Sequence, residues 1–68
     1  MVNTAKLKAR ILLEGYTQRT LAKETKIGIT PLNAKINNKQ VFRCDEVDKI
    51  CLALNITEPE EKCDIFFA

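Results

Sequence analysis

The stretch Thr17–Asn38, TQRTLAKETKIGITPLNAKINN, decides the fold. It reads as two short helices separated by a brief break. Thr17 is a good N-cap, because its hydroxyl can accept a hydrogen bond from one of the orphan N–H groups that begin a helix. Leu21 and Ala22 supply the inward side of that helix. At Lys26-Ile27-Gly28 the pattern breaks, since glycine tolerates turn geometry best and often marks a helix boundary. Ile29, Leu32 and Ile36 then recur at spacings of three and four, which places them on one helical face. The other face shows Thr30, Asn33, Ala34 and Asn37. A short helix that exposes amides and hydroxyls is shaped to read something polar.

The chain around this stretch has 68 residues, the length of one domain, expected to span residues 1–68. A domain this small buries only about 60% of its unfolded surface, so its core must be economical. With two glycines and two prolines, and plentiful Leu, Ile, Ala and Lys, the composition favours helices over a small barrel. No run of about 18 apolar residues occurs, which excludes a membrane-spanning helix. Lys6, Lys8 and Arg10 are mixed into the first apolar positions, unlike the charged end and apolar block of a signal peptide. Cys44, Cys51 and Cys63 form an odd set with no CxxC pair, and there is no histidine. That pattern argues against zinc ligation and against a disulfide framework, and predicts buried or half-buried thiols in a reducing cytoplasm.

The formal net charge of +2 hides an asymmetry. Residues 1–43 carry nine Lys/Arg against two acids, a net of +7; residues 44–68 carry two lysines against seven acids, a net of −5. A basic half bearing the two-helix unit, backed by an acidic half, suits a polyanion-binding module with one working face. The same segregation also suits a solvated surface with no partner.

From the N-terminus, Asn3 or Thr4 can cap a first helix running to about Glu14, with Leu7 and Ile11 as its inward stripe and Leu12 or Leu13 broadening it. Lys6, Lys8 and Arg10 are expected on the solvent side. Gly15 falls where a C-terminal glycine belongs. Tyr16 can lay its ring on the core. After the opening stretch, residues 38–43 read as a loop from which Phe42 plugs the core. A fourth helix spans about Cys44 to Leu54, with Val47, Ile50, Cys51 and Leu54 on one face. Asp45, Glu46 and Asp48 lie early in it, where the helix dipole favours negative charge. Thr57 and Glu60 have the spacing of a capping box, with Pro59 in the first turn of a fifth helix that runs to about Ile65.

Five short helices with brief connections make an all-α domain, and the second and third have the arrangement of a helix-turn-helix. Gly15-Tyr16-Thr17-Gln18, Leu21-Ala22, Leu32 and Lys35-Ile36-Asn37-Asn38-Lys39 together resemble the phage Cro/repressor type of helix-turn-helix domain, the XRE family. Ile50, Leu54, Asn55 and Ile56 are similar to that family's fourth helix and following turn. The ending DIFFA resembles that of small phage or prophage members. The resemblance covers nearly the whole chain and implies a five-helix, lambda-repressor-like fold.

The resemblance also implies roles. Gln18 begins the second helix, where family members contact a phosphate and often brace the recognition helix. Recognition would begin near Gly28 or Ile29, with Ile29, Thr30 and Pro31 leading and Asn33 and Ala34 following. Asn37, Asn38 and Lys39 match a turn whose backbone and side chains usually grip phosphate. Two departures stand out. The family's turn glycine falls on Lys26, and Gly28 replaces a usual serine N-cap. Either Lys26 adopts the turn conformation, or the third helix starts two residues later, with Thr30 as cap and Pro31 first. Ile29 and Pro31 also stand where polar readers are common, so base readout would lean on Thr30, Asn33 and apolar contact with thymine methyls.

Asn33 is the leading base reader, since an amide can pair bidentately with adenine N6 and N7. Arg19, Lys35, Lys39 and Arg43 are sensible phosphate contacts or else solvated charges. Lys35 sits where relatives are often apolar, so its stem would pack while its ammonium reaches out. Of Phe66 and Phe67, one ring can cap the core and an exposed one would suit a homodimer contact. The function expected is therefore a DNA-binding transcriptional regulator, with double-stranded DNA and a second copy as partners and no cofactor. A protein-interaction module on the same fold is the alternative. An enzyme is not expected, for want of histidine, a glycine-rich phosphate loop, a metal cluster or a paired-carboxylate site.

Overall fold

The first helix starts on Asn3, whose side-chain oxygen accepts a hydrogen bond from the Lys6 N–H at 3.1 Å. The computed structural model describes residues 1–68 as five helices: α1 Thr4–Leu13, α2 Gln18–Thr25, α3 Ile29–Ile36, α4 Cys44–Ala53 and α5 Pro59–Phe66. The architecture is the all-α one that the residue pattern predicts. α2 packs on both α3 and α4, and α1 packs on α5. No helix is long and apolar enough to cross a membrane.

The first four helices end in one way, with a residue in the left-handed region just after the last turn. Those residues are Gly15 (φ 81°), Lys26 (φ 59°), Asn38 (φ 62°) and Asn55 (φ 57°). In each case the next N–H reaches back five residues: Tyr16 to Ile11 O, Ile27 to Ala22 O, Lys39 to Ala34 O and Ile56 to Cys51 O, at 2.8–3.1 Å. Orphan carbonyls are thereby satisfied. Glycine adopts this conformation freely and asparagine with modest cost, so Lys26 is the strained one of the four.

The core is a single cluster in which Leu7, Leu21, Leu32, Ile36, Ile50 and Leu54 are wholly buried. Val47 and Cys51 join it from α4, as the sequence periodicity predicts, and Ile65 joins it from α5. Phe42 is half-buried and sets its ring edge-on to that of Phe66, with centroids 5.6 Å apart. Phe66 is the buried ring of the terminal pair, and Phe67 is left 61% exposed.

Four expectations change. Neither Leu12 nor Leu13 broadens the inward stripe of α1, since both lie off the face of Leu7 and Ile11 and are exposed. Arg10 is not on the solvent side. Its guanidinium donates to Leu54 O at 3.2 Å, Asn55 O at 2.9 Å and Glu61 at 2.7 Å. Carbonyls at the C-terminal end of α4 need donors, and a long planar cation supplies several at once. No Thr57–Glu60 capping box forms. α5 is capped at Glu58 without a side-chain bond and takes Pro59 as its first residue. The thiols also divide: Cys51 is buried, whereas Cys44 and Cys63 are exposed. Burial pushes the Cys51 thiol up from its ordinary pKa.

Candidate nucleic-acid interface

The helix-turn-helix is assembled by local hydrogen bonds. Thr17 Oγ1 accepts from the Thr20 N–H at 3.1 Å, and Thr20 Oγ1 accepts from the Thr17 N–H at 2.8 Å, a reciprocal cap for α2. At the far end Thr25 is buried and its hydroxyl donates to Leu21 O at 2.8 Å. Lys26 then takes the left-handed turn and Gly28 caps α3. This settles the start of the third helix at Ile29, not Pro31. Glycine also avoids crowding at the cap. A Cβ on residue 28 would lie 3.1 Å from Pro31 Cγ and 3.2 Å from Pro31 Cδ. Pro31 also has no N–H, so it removes one of the orphan donors of the first turn.

On α3, Leu32 and Ile36 are buried while Ile29, Thr30, Asn33 and Asn37 are exposed; Pro31, Ala34 and Lys35 are half-buried. The exposed face carries Thr30, Asn33 and Asn37 as read from the sequence, but Ala34 is half-buried, and Ile29, which its spacing groups with Leu32 and Ile36, is 45% exposed at the leading end of the helix. Asn37 Nδ2 donates to Asn33 O at 2.9 Å and to Asn33 Oδ1 at 3.2 Å. The two amides thus form a hydrogen-bonded pair along the helix surface.

The other candidate residues divide sharply. Gln18 is half-buried at the first position of α2, with no hydrogen bond to α3. Arg19 and Lys39 are exposed and carry no ion pair. Arg43 is exposed and lies 3.4 Å from Asp45, a contact that water and salt weaken.

Lys35 and Asn38 are held by the protein itself. The Lys35 ammonium does not reach out. It donates to both carboxylate oxygens of Glu46 at 2.7 Å, with only 12% of its side chain exposed. Glu46 also accepts the Arg43 N–H at 2.9 Å, which caps α4. Burial alone would push its carboxyl up, but the bonds from Lys35 and Arg43 and the Lys35 charge bring it below its ordinary pKa. Asn38, in its left-handed turn, accepts the Val2 N–H at 2.8 Å and donates to Val2 O at 2.9 Å. Thr4 Oγ1 adds a bond to Ile36 O at 2.7 Å. Residues 2–4 are thereby stitched to the exit of α3.

Two features escape a reading by periodicity. Glu46 is eleven residues from Lys35 and shares no helix with it, so only packing reveals the pair. Lys26 is the turn cation, exposed between α2 and α3; its signal was the misplaced glycine.

A family model, the Cro/C1-type HTH DNA-binding domain, matches residues 6–65. The chain belongs to that family. The match spans all but the first two residues of α1, all of α2 to α4, and α5 up to Ile65. Membership makes DNA the partner of this domain and accounts for an α2–turn–α3 unit whose outward face is polar. No curated protein and no solved structure matches the chain.

Proposed function

We propose that the protein is a sequence-specific transcriptional regulator, a small repressor or Cro-like switch protein of phage or prophage type, acting in the cytoplasm as one unit of residues 1–68. The observation that carries this reading is the exposed face of α3, where Ile29, Thr30, Asn33 and Asn37 stand together on the second helix of a DNA-binding motif. α3 enters the major groove with these residues against the base edges. Gln18 and the backbone at Gly28 and Asn37–Lys39 meet phosphates, as do the unpaired cations Arg19 and Lys39, with Arg43 at the margin. Lys35 and Asn38 support the interface from behind and do not contact phosphate through their side-chain tips.

Binding is as a homodimer through the C-terminal end, where Phe67 is exposed and Phe66 buried. Phe67, Met1 and Val41 line a largely apolar cleft of about 300 Å³ beside Asn38 and Gln40. Two copies would read a near-palindromic site with half-sites about 34 Å apart. The protein acts by occupying DNA, without enzymatic chemistry.

Selection from a randomised duplex library tests this directly. An enriched two-fold symmetric sequence is the expected result. No enrichment would favour the alternative, a protein-interaction module on the same fold.

A further inference from the structure

Two arrangements on α3 bear on which bases are read. Ile29, Asn33 and Asn37 follow one another at intervals of four residues and all three are exposed, so they form a continuous ridge. The Asn37 amide donates to Asn33 at both its carbonyl and its side-chain oxygen. That contact uses one lone pair of Asn33 Oδ1 and ties the exposed amide to the next turn of the helix. The second lone pair and both Nδ2 protons have no partner in the protein, the set that an adenine edge requires. One turn earlier, Ile29 holds a β-branched apolar side chain in the open, outside the core cluster that takes Ile27. Its stiff rotamer gives a fixed apolar surface beside a fixed amide.

We propose that Ile29, Asn33 and Asn37 are one composite reader of A·T base pairs: Asn33 pairs with an adenine edge, Asn37 positions the Asn33 amide, and Ile29 packs on the 5-methyl of a neighbouring thymine. The inference rests on the DNA-binding reading above and names what that site prefers. Thr30 and Pro31 flank the ridge and are not needed for it.

The test uses the full chain and the duplex recovered by selection. Each thymine is replaced in turn by dU, which removes only the methyl group, and each adenine by 7-deaza-dA, which removes the N7 acceptor. Wild type, Ile29→Ala and Asn37→Ala are titrated against every duplex, and circular dichroism confirms that each variant is folded. At one thymine the loss of the methyl should weaken the wild type about fourfold, the value of one buried carbon. Ile29→Ala should be indifferent to the same change. At one adenine the deaza base should weaken the wild type about fivefold or more. Asn37→Ala should shrink that difference while keeping the wild-type penalty for the missing thymine methyl, which loss of structure would not produce.

Full methyl sensitivity in Ile29→Ala, or no sensitivity in the wild type at any thymine, overturns the role of Ile29. Equal weakening of every duplex by Asn37→Ala overturns its positioning role. If selection recovers no sequence, the DNA-binding reading and the composite reader fall together. An enriched site without either coupling removes the composite reader alone.

Discussion

The Lys35 ammonium lies 2.7 Å from both carboxylate oxygens of Glu46, and the same carboxylate caps α4 through the Arg43 N–H. One acidic side chain thus ties the last turn of α3 to the first turn of α4. Both side chains are partly shielded from water, at 12% and 13% exposure. Removing one partner would leave the other charge shielded and unmatched. Glu46→Gln is expected to lower unfolding free energy by about 1–2 kcal/mol at pH 7, measured by urea melts. The folded-state pKa of Glu46 lies below its ordinary value of 4.5. Its contribution is therefore fully present above about pH 4.5 and is lost as pH falls through the lower, folded value. The difference between wild type and variant should shrink over that acid window. A difference that is constant from pH 7 to pH 3 would mean that the pair does not hold the two helices together.

Lys26 takes a left-handed turn that lysine disfavours, at φ 59°. Lys26→Gly removes a strain of about 1–2 kcal/mol, offset in part by the greater freedom of glycine in the unfolded chain. A net gain of about 0.5–1 kcal/mol is expected in denaturant melts, with the midpoint moving up and the slope unchanged. Destabilisation would show that the Lys26 side chain holds the turn by contacts stronger than its backbone strain.

Asn38 combines a left-handed backbone with two side-chain bonds to Val2. Asn38→Gly keeps the turn conformation and deletes the bonds, so it isolates the stitch. It should cost about 1–2 kcal/mol of stability and leave the dependence of DNA affinity on salt unchanged. A slope reduced by about one unit, with stability intact, would instead make Asn38 a phosphate contact.

Phe67 is exposed next to an apolar cleft that includes Val41, itself 87% exposed. Replacing a large exposed apolar group in the monomer costs little folding energy. Phe67→Asp is expected to leave the melting temperature within about 2 °C when measured at low concentration, and to convert dimers to monomers in analytical ultracentrifugation. Dimers that persist would place the contact elsewhere.

Much of the fold was legible because its signals are local. Leu7 and Ile11, then Leu32 and Ile36, then Val47, Ile50 and Leu54 are periodic over single helices, and each series is buried. Gly15 marked the end of α1 for the same reason, since only its neighbours determine the conformation that it needs. Arg10 looked like a solvent-facing cation because its partners Leu54, Asn55 and Glu61 lie more than forty residues away. The start of α3 stayed open because cap preference and turn preference disagreed at Lys26 and Gly28. The backbone resolves it: Lys26 takes the left-handed turn, and Gly28 O accepts the first helical bond, from the Leu32 N–H at 2.9 Å. At the candidate site, the exposure of Asn33 and Asn37 followed from helical period, whereas Ile29, periodic with the buried Leu32 and Ile36, is exposed at the first position of α3. The diversion of Lys35 to Glu46 and of Asn38 to Val2 did not, because both partners come from other elements.

Affinity for the selected duplex at two salt concentrations, set beside a scrambled duplex of equal length, is the most direct test of the central claim. Fluorescence anisotropy at 50 and 200 mM salt suffices. The selected duplex should bind at least about a thousandfold more tightly than the scrambled one, and both affinities should fall steeply between the two concentrations. Equal affinity for the two duplexes, or binding indifferent to salt, would contradict a sequence-reading α3 backed by phosphate-gripping cations.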